Sequence, residues 1–256
     1  MRPEDWLPAD GLPANVAGGM STRAGGVSAP PFDSLNLRPS GLRADAVDDP
    51  SAIAENQRRW AAVMAPARPV WLDQVHGARV VRLGLADLND ASGPFHQADA
   101  AVTTERGVAC TVLVADCLPV LLADRRGRAV GAAHAGWRGL AGGVLEATVA
   151  ELCDAAEGTP AGLQAWLGAC IGPNAFEVGA DVRDAFGPAA QAHFRPTGQA
   201  GKWWADLPSL ARQRLAAAGV TLVSGGRWCT ASNASRFFSF RRDRVTGRHA
   251  ASVWLV

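Results

Sequence analysis

A cysteine and a histidine stand beside apolar segments of the chain that are separated by a turn. Cys117 lies between the apolar runs Val108–Val114 and Leu118–Ala123, and His134 ends the next run, after the turn Asp124–Gly127. The two residues are too far apart in the chain for a local zinc knuckle. They meet only if their strands are neighbours in one sheet. The spacing therefore predicts a site that two strands build together.

His76, at the end of another strand-like run, supplies a third ligand of the same kind. Three protein ligands with an open fourth position are typical of catalytic zinc, which lowers the pKa of a coordinated water to about 7. The same His₂Cys set also suits copper. Without a metal, Cys117 and His134 form a nucleophile and base pair. A histidine buried for packing alone remains the alternative for His134.

Acidic and basic side chains near these ligands predict an anionic or polar substrate. Asp116, beside Cys117, and Glu177 are candidate acid/base groups. The glycine turn Gly136–Gly139 opens a helix and offers free backbone N–H groups to an anion, to which Arg138 adds charge. Arg241 belongs to an arginine pair that provides a fork for phosphate.

The five cysteines are scattered and odd in number, which predicts a reduced, cytoplasmic protein. Cys110 and Cys117 are an odd number of residues apart, so on one extended strand they face opposite sides, and Cys110 is expected to pack in the core. Cys170 lies in a glycine-rich loop, where packing and a place near the site both remain open.

The remaining pattern predicts an α/β or α+β fold, because strands and helices alternate along the chain. Val108–Val114 and Leu118–Ala123 are apolar throughout, as expected of strands covered on both faces. Helices are predicted at Pro50–Met64 and Leu140–Leu152, and strands at Val220–Val223 and Phe237–Arg241. Residues 1–20 are expected to be irregular, and no linker divides residues 1–256 into two domains.

Composition excludes several classes of protein. No apolar run reaches the roughly 18 residues of a membrane span, and the N-terminus has no apolar core of a signal peptide. The net charge of +1 predicts no bulk attraction to nucleic acid or to anionic lipid. We therefore expect a small-molecule substrate, no nucleic acid or membrane partner, and a monomer or weak homodimer.

Several motifs, in this order along the chain, resemble the YfiH-type laccase-domain family. Ser21–Ser28 and Ser34–Leu37 fit the N-terminal part of the pattern. The motifs that carry the resemblance are Gln74–Gly77, Ala98–Ala100, Ala115–Leu121, Ala133–Leu140, Ile171–Gly179 and Phe237–Asp243.

This resemblance implies a layered α/β/β/α fold, akin to the cytotoxic-necrotizing-factor-like cysteine hydrolases. It implies zinc held by His76, Cys117 and His134. The candidate substrate-binding residues are Arg23, Arg138 and Arg241. The implied reactions are phosphorolysis of adenosine, inosine, guanosine and methylthioadenosine, and deamination of adenosine. Older descriptions of the family name a polyphenol oxidase, and some members are linked to peptidoglycan editing.

The histidine count bears on the copper alternative. A multicopper laccase needs a blue-copper centre and a trinuclear cluster built from histidines, and the five histidines here do not furnish both. A single copper remains an alternative, as does a metal-free cysteine hydrolase. The chain also departs from the family: Arg38 follows Leu37 where relatives often have histidine, and Phe240 replaces a common tyrosine. Because the chain has no tyrosine, no phenol takes part in proton transfer.

Overall fold

The computed structural model describes residues 3–42, 47–88 and 93–256. The α-helices are α1 (Pro50–Met64), α2 (Trp137–Ala141), α3 (Val144–Ala155), α4 (Ala180–Ala185), α5 (Leu207–Ala217) and α6 (Phe240–Asp243). The strands are β1 (Trp6–Pro8), β2 (Val16–Ser21), β3 (Arg68–Val70), β4 (Leu72–Asp73), β5 (Val80–Arg82), β6 (His96–Gln97), β7 (Ala100–Thr103), β8 (Val108–Val114), β9 (Leu118–Asp124), β10 (Val130–Ala135), β11 (Leu163–Leu167), β12 (Glu177–Val178), β13 (Phe194–Pro196), β14 (Trp203–Ala205), β15 (Leu222–Gly225) and β16 (His249–Leu255).

Two large sheets form the centre of this mixed α/β structure. One has the strand order β1-β2-β16-β8-β3, and the other has the order β15-β11-β9-β10-β7-β5. Val112 and Val253 of the first sheet share a hydrophobic cluster with Leu121 of the second, so the sheets pack face to face. Every residue of β8, β9, β10 and β16 is buried, which confirms the expectation for the apolar runs. Within the described residues, no helix is long and apolar enough to span a membrane.

Helices cover the outer faces of the two sheets. Trp60 and Met64 of α1 pack with Leu113 and Trp254 of the first sheet, and α3 and α5 lie in the cluster that covers the second. Helix α1 has the predicted bounds because the Asp49 side chain accepts a hydrogen bond from the Ser51 backbone N–H at its start. The arrangement agrees with helix layers outside two sheets, while the cysteine-hydrolase name for the fold stays a prediction.

The N-terminal segment is not irregular as expected. Strands β1 and β2 pair with each other, and β2 pairs with β16, opposing Met20 to Ala251. The segment has few residues of high strand propensity. Its partners come from the other end of the chain, so tertiary context decides its conformation. Residues 1 and 2 lie outside the described part of the chain.

Two predicted elements near the site are also wrong. The single helix Leu140–Leu152 is two helices, α2 and α3, because Gly143 adopts a left-handed φ of 92° between them. The strand predicted at Phe237–Arg241 does not form: residues 237–239 have no regular secondary structure, and the short helix α6 begins at Phe240. Ser239 caps this helix by accepting a hydrogen bond from the Arg242 N–H. The strand predicted at Val220–Val223 occurs at Leu222–Gly225.

Cys110 and Cys117 do not lie on one extended strand, as the prediction that they face opposite sides assumes. Their segments belong to different sheets, because the chain leaves the first sheet after β8 and turns at Asp116, which has a φ of 96°. Cys110 is nevertheless buried as expected, and burial raises the pKa of its thiol. The turn, and not strand alternation, places Cys117 at the edge of a hydrophobic cluster, where it lines the cavity described below.

His249 should make folding stability fall in acid. It is fully buried, its Nε2 accepts a hydrogen bond from the Phe238 N–H at 2.9 Å, and burial lowers its pKa to about 3. The unfolded chain binds a proton below the ordinary pKa of about 6.5 while the folded chain does not, so stability decreases as pH falls. Between pH 7 and pH 5 we expect a loss of up to roughly 2 kcal/mol from this residue.

Urea unfolding of the wild type and of His249→Gln at both pH values measures this contribution. The glutamine variant should lose less stability than the wild type over the same interval, whatever its absolute stability. Equal losses in the two proteins would contradict the assignment to His249.

Candidate active site

The turn after β8, the end of β10 and the loop after β4 bring Cys117, His134 and His76 together. Strands β9 and β10 are antiparallel neighbours with His134 opposite Pro119, which places Cys117 beside His134. The ligand atoms of the three side chains all lie within 4.8 Å of one another. The Cys117 Sγ atom is 3.9 Å from the His76 Nε2 atom. The prediction that these residues meet is confirmed.

These residues fit a tetrahedral metal with an open position. Zinc bonds of about 2.0–2.3 Å to nitrogen and sulfur require ligand atoms to be roughly 3.3–3.6 Å apart, which small side-chain rotations provide here. His134 is buried whereas His76 is exposed, so the site opens to solvent on the His76 side. Within the described residues, no other group of histidine, cysteine and acidic side chains meets the same criterion. Sulfur and imidazole donors suit zinc or copper, so the donor set does not select between them.

Asp99 positions two of the three ligands. Its carboxylate lies 2.8 Å from the Nδ1 atom of His134 and accepts backbone hydrogen bonds from Val75, His76 and Gly77. Because Nδ1 of His134 is engaged with the carboxylate, Nε2 is the ring atom left for a metal. The backbone bonds hold His76 at a φ of 61°, a conformation that non-glycine residues rarely adopt.

Asp99 lies within the Ala98–Ala100 motif, but the sequence alone assigns it no role. A single acid between alanines at the start of a buried strand was the available signal, because such an acid needs partners. Asp99 is fully buried. Burial raises its pKa, but the hydrogen bonds from His134 and from the Gly77 N–H outweigh burial and lower it.

The site stabilises a thiolate. Burial would raise the pKa of Cys117, but the charge of His134 and the hydrogen bonds from His134 and His76 outweigh it and lower the pKa. Burial would lower the pKa of His134, but the Cys117 thiolate and Asp99 raise it. A thiolate is the form of cysteine that binds metals and attacks electrophiles, so both uses of Cys117 remain chemically open.

Gly136 leaves room for two of the ligands, so Gly136→Ala should weaken metal binding. A Cβ atom there would lie 2.9 Å from the Cys117 Sγ atom and 3.0 Å from the His76 Cδ2 atom. The Gly136 φ of −64° is accessible to alanine, so the backbone itself is not strained. We expect metal affinity to fall about 10-fold or more, as when other supporting contacts around a metal are lost.

Competition with a chromophoric chelator measures that affinity. Gly162→Ala is the matched control, since its Cβ would meet only Asp124 Oδ1, at 4.0 Å. Unchanged metal affinity in Gly136→Ala would show that the close approach is not needed.

A cavity of about 350 Å³ opens beside the three ligands. Its wall combines apolar and aromatic side chains with guanidinium groups. The lining includes Leu72, Gln74, Leu113, Ile171, Phe176, Phe240, Arg38, Arg241 and Arg248. Sequence reasoning missed Arg38 and Arg248, because they come from a loop and from the segment before β16, far from the ligands in the chain.

Asp116 lines the cavity, but both of its carboxylate oxygens accept hydrogen bonds from other residues of the protein. Oδ1 accepts a hydrogen bond from the Thr230 hydroxyl at 2.6 Å, and Oδ2 accepts one from the Arg241 backbone N–H at 2.7 Å. These bonds tie the Cys117 turn to helix α6. Its predicted acid/base role stays a prediction, and the structure adds a positioning role.

The other predicted site residues divide into two groups. Arg241 lines the cavity, with Nη1 donating to the Glu177 carbonyl. Three of the predicted residues do not line the cavity: Arg23, Arg138 and Glu177. Arg23 forms an ion pair with Asp33. Arg138 is exposed and lies above the Trp137 ring. Glu177 lies in β12 and approaches Arg241 through its backbone.

Cys170 is buried and does not line the cavity, although Ile171 beside it does. The backbones of Cys170 and Cys229 form an isolated parallel β-bridge, and both thiols are free. The Cys229 Sγ atom accepts a hydrogen bond from the Gly172 N–H. Packing is therefore the role that its surroundings support.

Comparisons with known proteins match this chain over almost its whole length. The family described as multi-copper polyphenol oxidoreductase laccase matches residues 17–256. A Pseudomonas aeruginosa protein named purine nucleoside phosphorylase is 51% identical over 255 residues, covering 98% of both chains. The Escherichia coli protein named purine nucleoside phosphorylase YfiH is 47% identical over 250 residues, covering 95% of this chain and 96% of the relative. A crystal structure of a Neisseria meningitidis protein superposes with a TM-score of 0.87 at 44% identity, covering 98% of this chain and 99% of the other.

Fold and site together define a mixed α/β protein with a three-ligand His₂Cys group that opens into a cavity. The chain belongs to the laccase-like family of YfiH-type proteins. The relatives' names point to an enzyme with a small-molecule substrate.

Proposed function

We propose that this protein is a zinc-dependent enzyme of purine nucleosides. Its reactions are phosphorolysis of adenosine, inosine, guanosine and methylthioadenosine, and deamination of adenosine. The observation that carries the proposal is the opening of the His76–Cys117–His134 group into a cavity with both apolar and cationic walls. The names of the relatives support the same reaction class.

The cavity lining suits the two parts of a nucleoside. A volume of about 350 Å³ lies within the usual range of small-ligand sites. Leu72, Leu113, Ile171 and Phe176 provide the apolar surface that a purine ring requires. Cationic side chains such as Arg241 hold phosphate, for which a planar guanidinium is well suited.

Phosphorolysis exchanges one bond at the anomeric carbon. A phosphate oxygen bonds to C1′ as the bond from C1′ to N9 breaks, and the bonding electron pair leaves with the base, which takes up a proton. Binding both substrates in one cavity supplies the orientation that this displacement needs. Zinc bound by the three ligands would supply Lewis-acid polarisation of a substrate oxygen or nitrogen.

Deamination requires addition of water at C6 of the adenine ring and departure of ammonia. The step needs a group that moves protons. Of the two predicted acids, Asp116 lines the cavity and Glu177 does not, so we assign proton transfer to Asp116.

A metal-free cysteine hydrolase acting on peptidoglycan precursors is the second candidate, because the thiolate and His134 are already paired. The copper polyphenol oxidase has less support. His249 is buried in the core and His96 lies 2.8 Å from Asp87, so neither is free to build a copper cluster.

Incubation of the purified protein with inosine and phosphate tests the proposal. Hypoxanthine and ribose 1-phosphate should appear in equal amounts, adenosine should also yield inosine and ammonia, and a zinc chelator should stop both reactions. Absence of phosphate-dependent base release would refute the phosphorylase assignment. Activity towards nucleosides that persists after complete metal removal would refute the role of zinc.

A further inference from the structure

A second cavity adjoins the first and shares part of its wall. It has a volume of about 650 Å³, and the side chains common to both cavities are Arg38, Leu42, Phe240 and Arg248. Arg248 therefore contacts the metal-site cavity from the side at which the second cavity meets it. Arg248 directly precedes β16. Because β16 is the central strand of the first sheet, the backbone that follows Arg248 is held in place.

The guanidinium of Arg248 has hydrogen-bonding capacity to spare. Nη1 donates to the carbonyls of Thr246 and Gly247 at 3.0 and 3.2 Å. Within residues 3–42, 47–88 and 93–256, no carboxylate forms an ion pair with it. The guanidinium carbon also lies 5.8 Å from the centroid of the Phe240 ring. Because buried charges are ordinarily paired, an arginine in this position favours an anionic ligand.

A second cation, Arg38, lies on the wall shared by the two cavities, close to Arg248. Burial and the charge of Arg38 lower the pKa of Arg248, whereas the negative charges of Cys117 and Asp116 raise it. The guanidinium nevertheless stays protonated, since arginine does not lose its proton in proteins. An anion bound at the shared wall would relieve the repulsion between the two arginines.

We propose that Arg248 binds the phosphate co-substrate at the wall shared by the two cavities. This inference rests on the proposed function, and it adds Arg248 to Arg241 as a phosphate contact, in place of the sequence candidate Arg138. Arg138 lies outside the cavity, whereas Arg241 and Arg248 both line it, each with Nη1 bound to a backbone carbonyl. The free edge of Arg248 offers paired N–H donors of the kind that bind phosphate oxygens bidentately.

Arg248→Met tests the assignment, with inorganic phosphate as the probe. Calorimetric titration of the intact metal-loaded protein measures phosphate binding without any reaction, and steady-state assays separate the KM for phosphate from the KM for inosine. We expect phosphate affinity to fall roughly 10- to 100-fold, the effect of losing one or two charge-assisted hydrogen bonds. The KM for inosine should stay within about 2-fold of the wild-type value, because its ring contacts lie elsewhere.

Two further variants guard against a structural effect. Arg248→Lys keeps the charge but loses the fork, so its phosphate affinity should lie between those of Arg248→Met and the wild type. Arg244→Met is the matched control, because Arg244 lines only the second cavity, and this variant should bind phosphate as the wild type does.

The outcomes separate this inference from the proposed function. If the wild type phosphorolyses inosine and Arg248→Met keeps its affinity and KM for phosphate, the assignment of Arg248 is overturned and the function stands. If the wild type binds phosphate through Arg248 but cleaves no nucleoside, the anion site stands and the phosphorylase fails. Equal rises in both KM values would mean a structural role for Arg248 and would also overturn the assignment.

Discussion

Cys117→Ala should lose both bound metal and nucleoside cleavage. The substitution removes the only sulfur of the His76–Cys117–His134 group, and the two histidines that remain cannot by themselves hold zinc as a three-ligand site does. We expect kcat/KM for phosphorolysis of inosine to fall by roughly 10²–10⁴-fold, the range found when a group that acts in the chemical step is deleted. Metal content per chain should fall in parallel, as measured by plasma mass spectrometry.

Cys153→Ala is the matched control for loss of a thiol. Cys153 lies in α3 and packs at the edge of a hydrophobic cluster outside the cavity, so this variant should keep its metal and its activity. A Cys117→Ala protein that loses metal but keeps phosphorolysis would separate the metal from the reaction. One that keeps full metal content would contradict the ligand set.

Asp99→Asn should weaken metal binding while leaving every ligand in place. The carboxylate accepts hydrogen bonds from three backbone N–H groups and lies against the Nδ1 atom of His134. The asparagine side chain has the same shape but carries no charge. Its N–H donors would face backbone N–H groups, which are donors themselves. We expect metal affinity to fall roughly 10- to 100-fold, as it does when a group that orients a metal ligand is lost. A loss of about 1.5–3 kcal/mol in stability should accompany it.

Asp124→Asn separates the metal effect from the stability effect. Asp124 is also buried and forms an ion pair with Arg128 at 3.0 Å, but it lies at the end of β9 that is farther from Cys117. Its substitution should lower the urea midpoint without changing metal affinity by more than about 2-fold. Equal metal affinities in Asp99→Asn and the wild type would show that Asp99 serves folding alone.

Elements with strong local signals were predictable from the sequence. Helix α1 has an N-terminal cap and a proline at its start, and the strands β8 and β9 are apolar throughout. The meeting of Cys117 with His134 followed from a short turn between two strands, because such a turn makes antiparallel neighbours.

Features that depend on distant partners were not predictable in the same way. Strand β2 is ordered by β16, from the other end of the chain. Asp99 acts on residues more than twenty positions away in both directions, and no local pattern reports that. Arg248 precedes β16, in the middle of the first sheet, and lines the cavity. The sequence instead favoured Arg138, which lies close to His134 in the chain.

The passage of the chain from one sheet to the other between β8 and β9 has a consequence for assembly. Cys117 lies in the connection between the two sheets, His134 lies in β10 of the second sheet, and the His76 backbone is bound by Asp99, just before β7. No single sheet or hairpin contains all three residues, so a nascent or partly folded chain would lack the complete site. A metal bound by these residues would therefore stabilise only the folded state, by an amount that grows with the free metal concentration. Such a metal would stabilise the assembled protein and would not nucleate its folding.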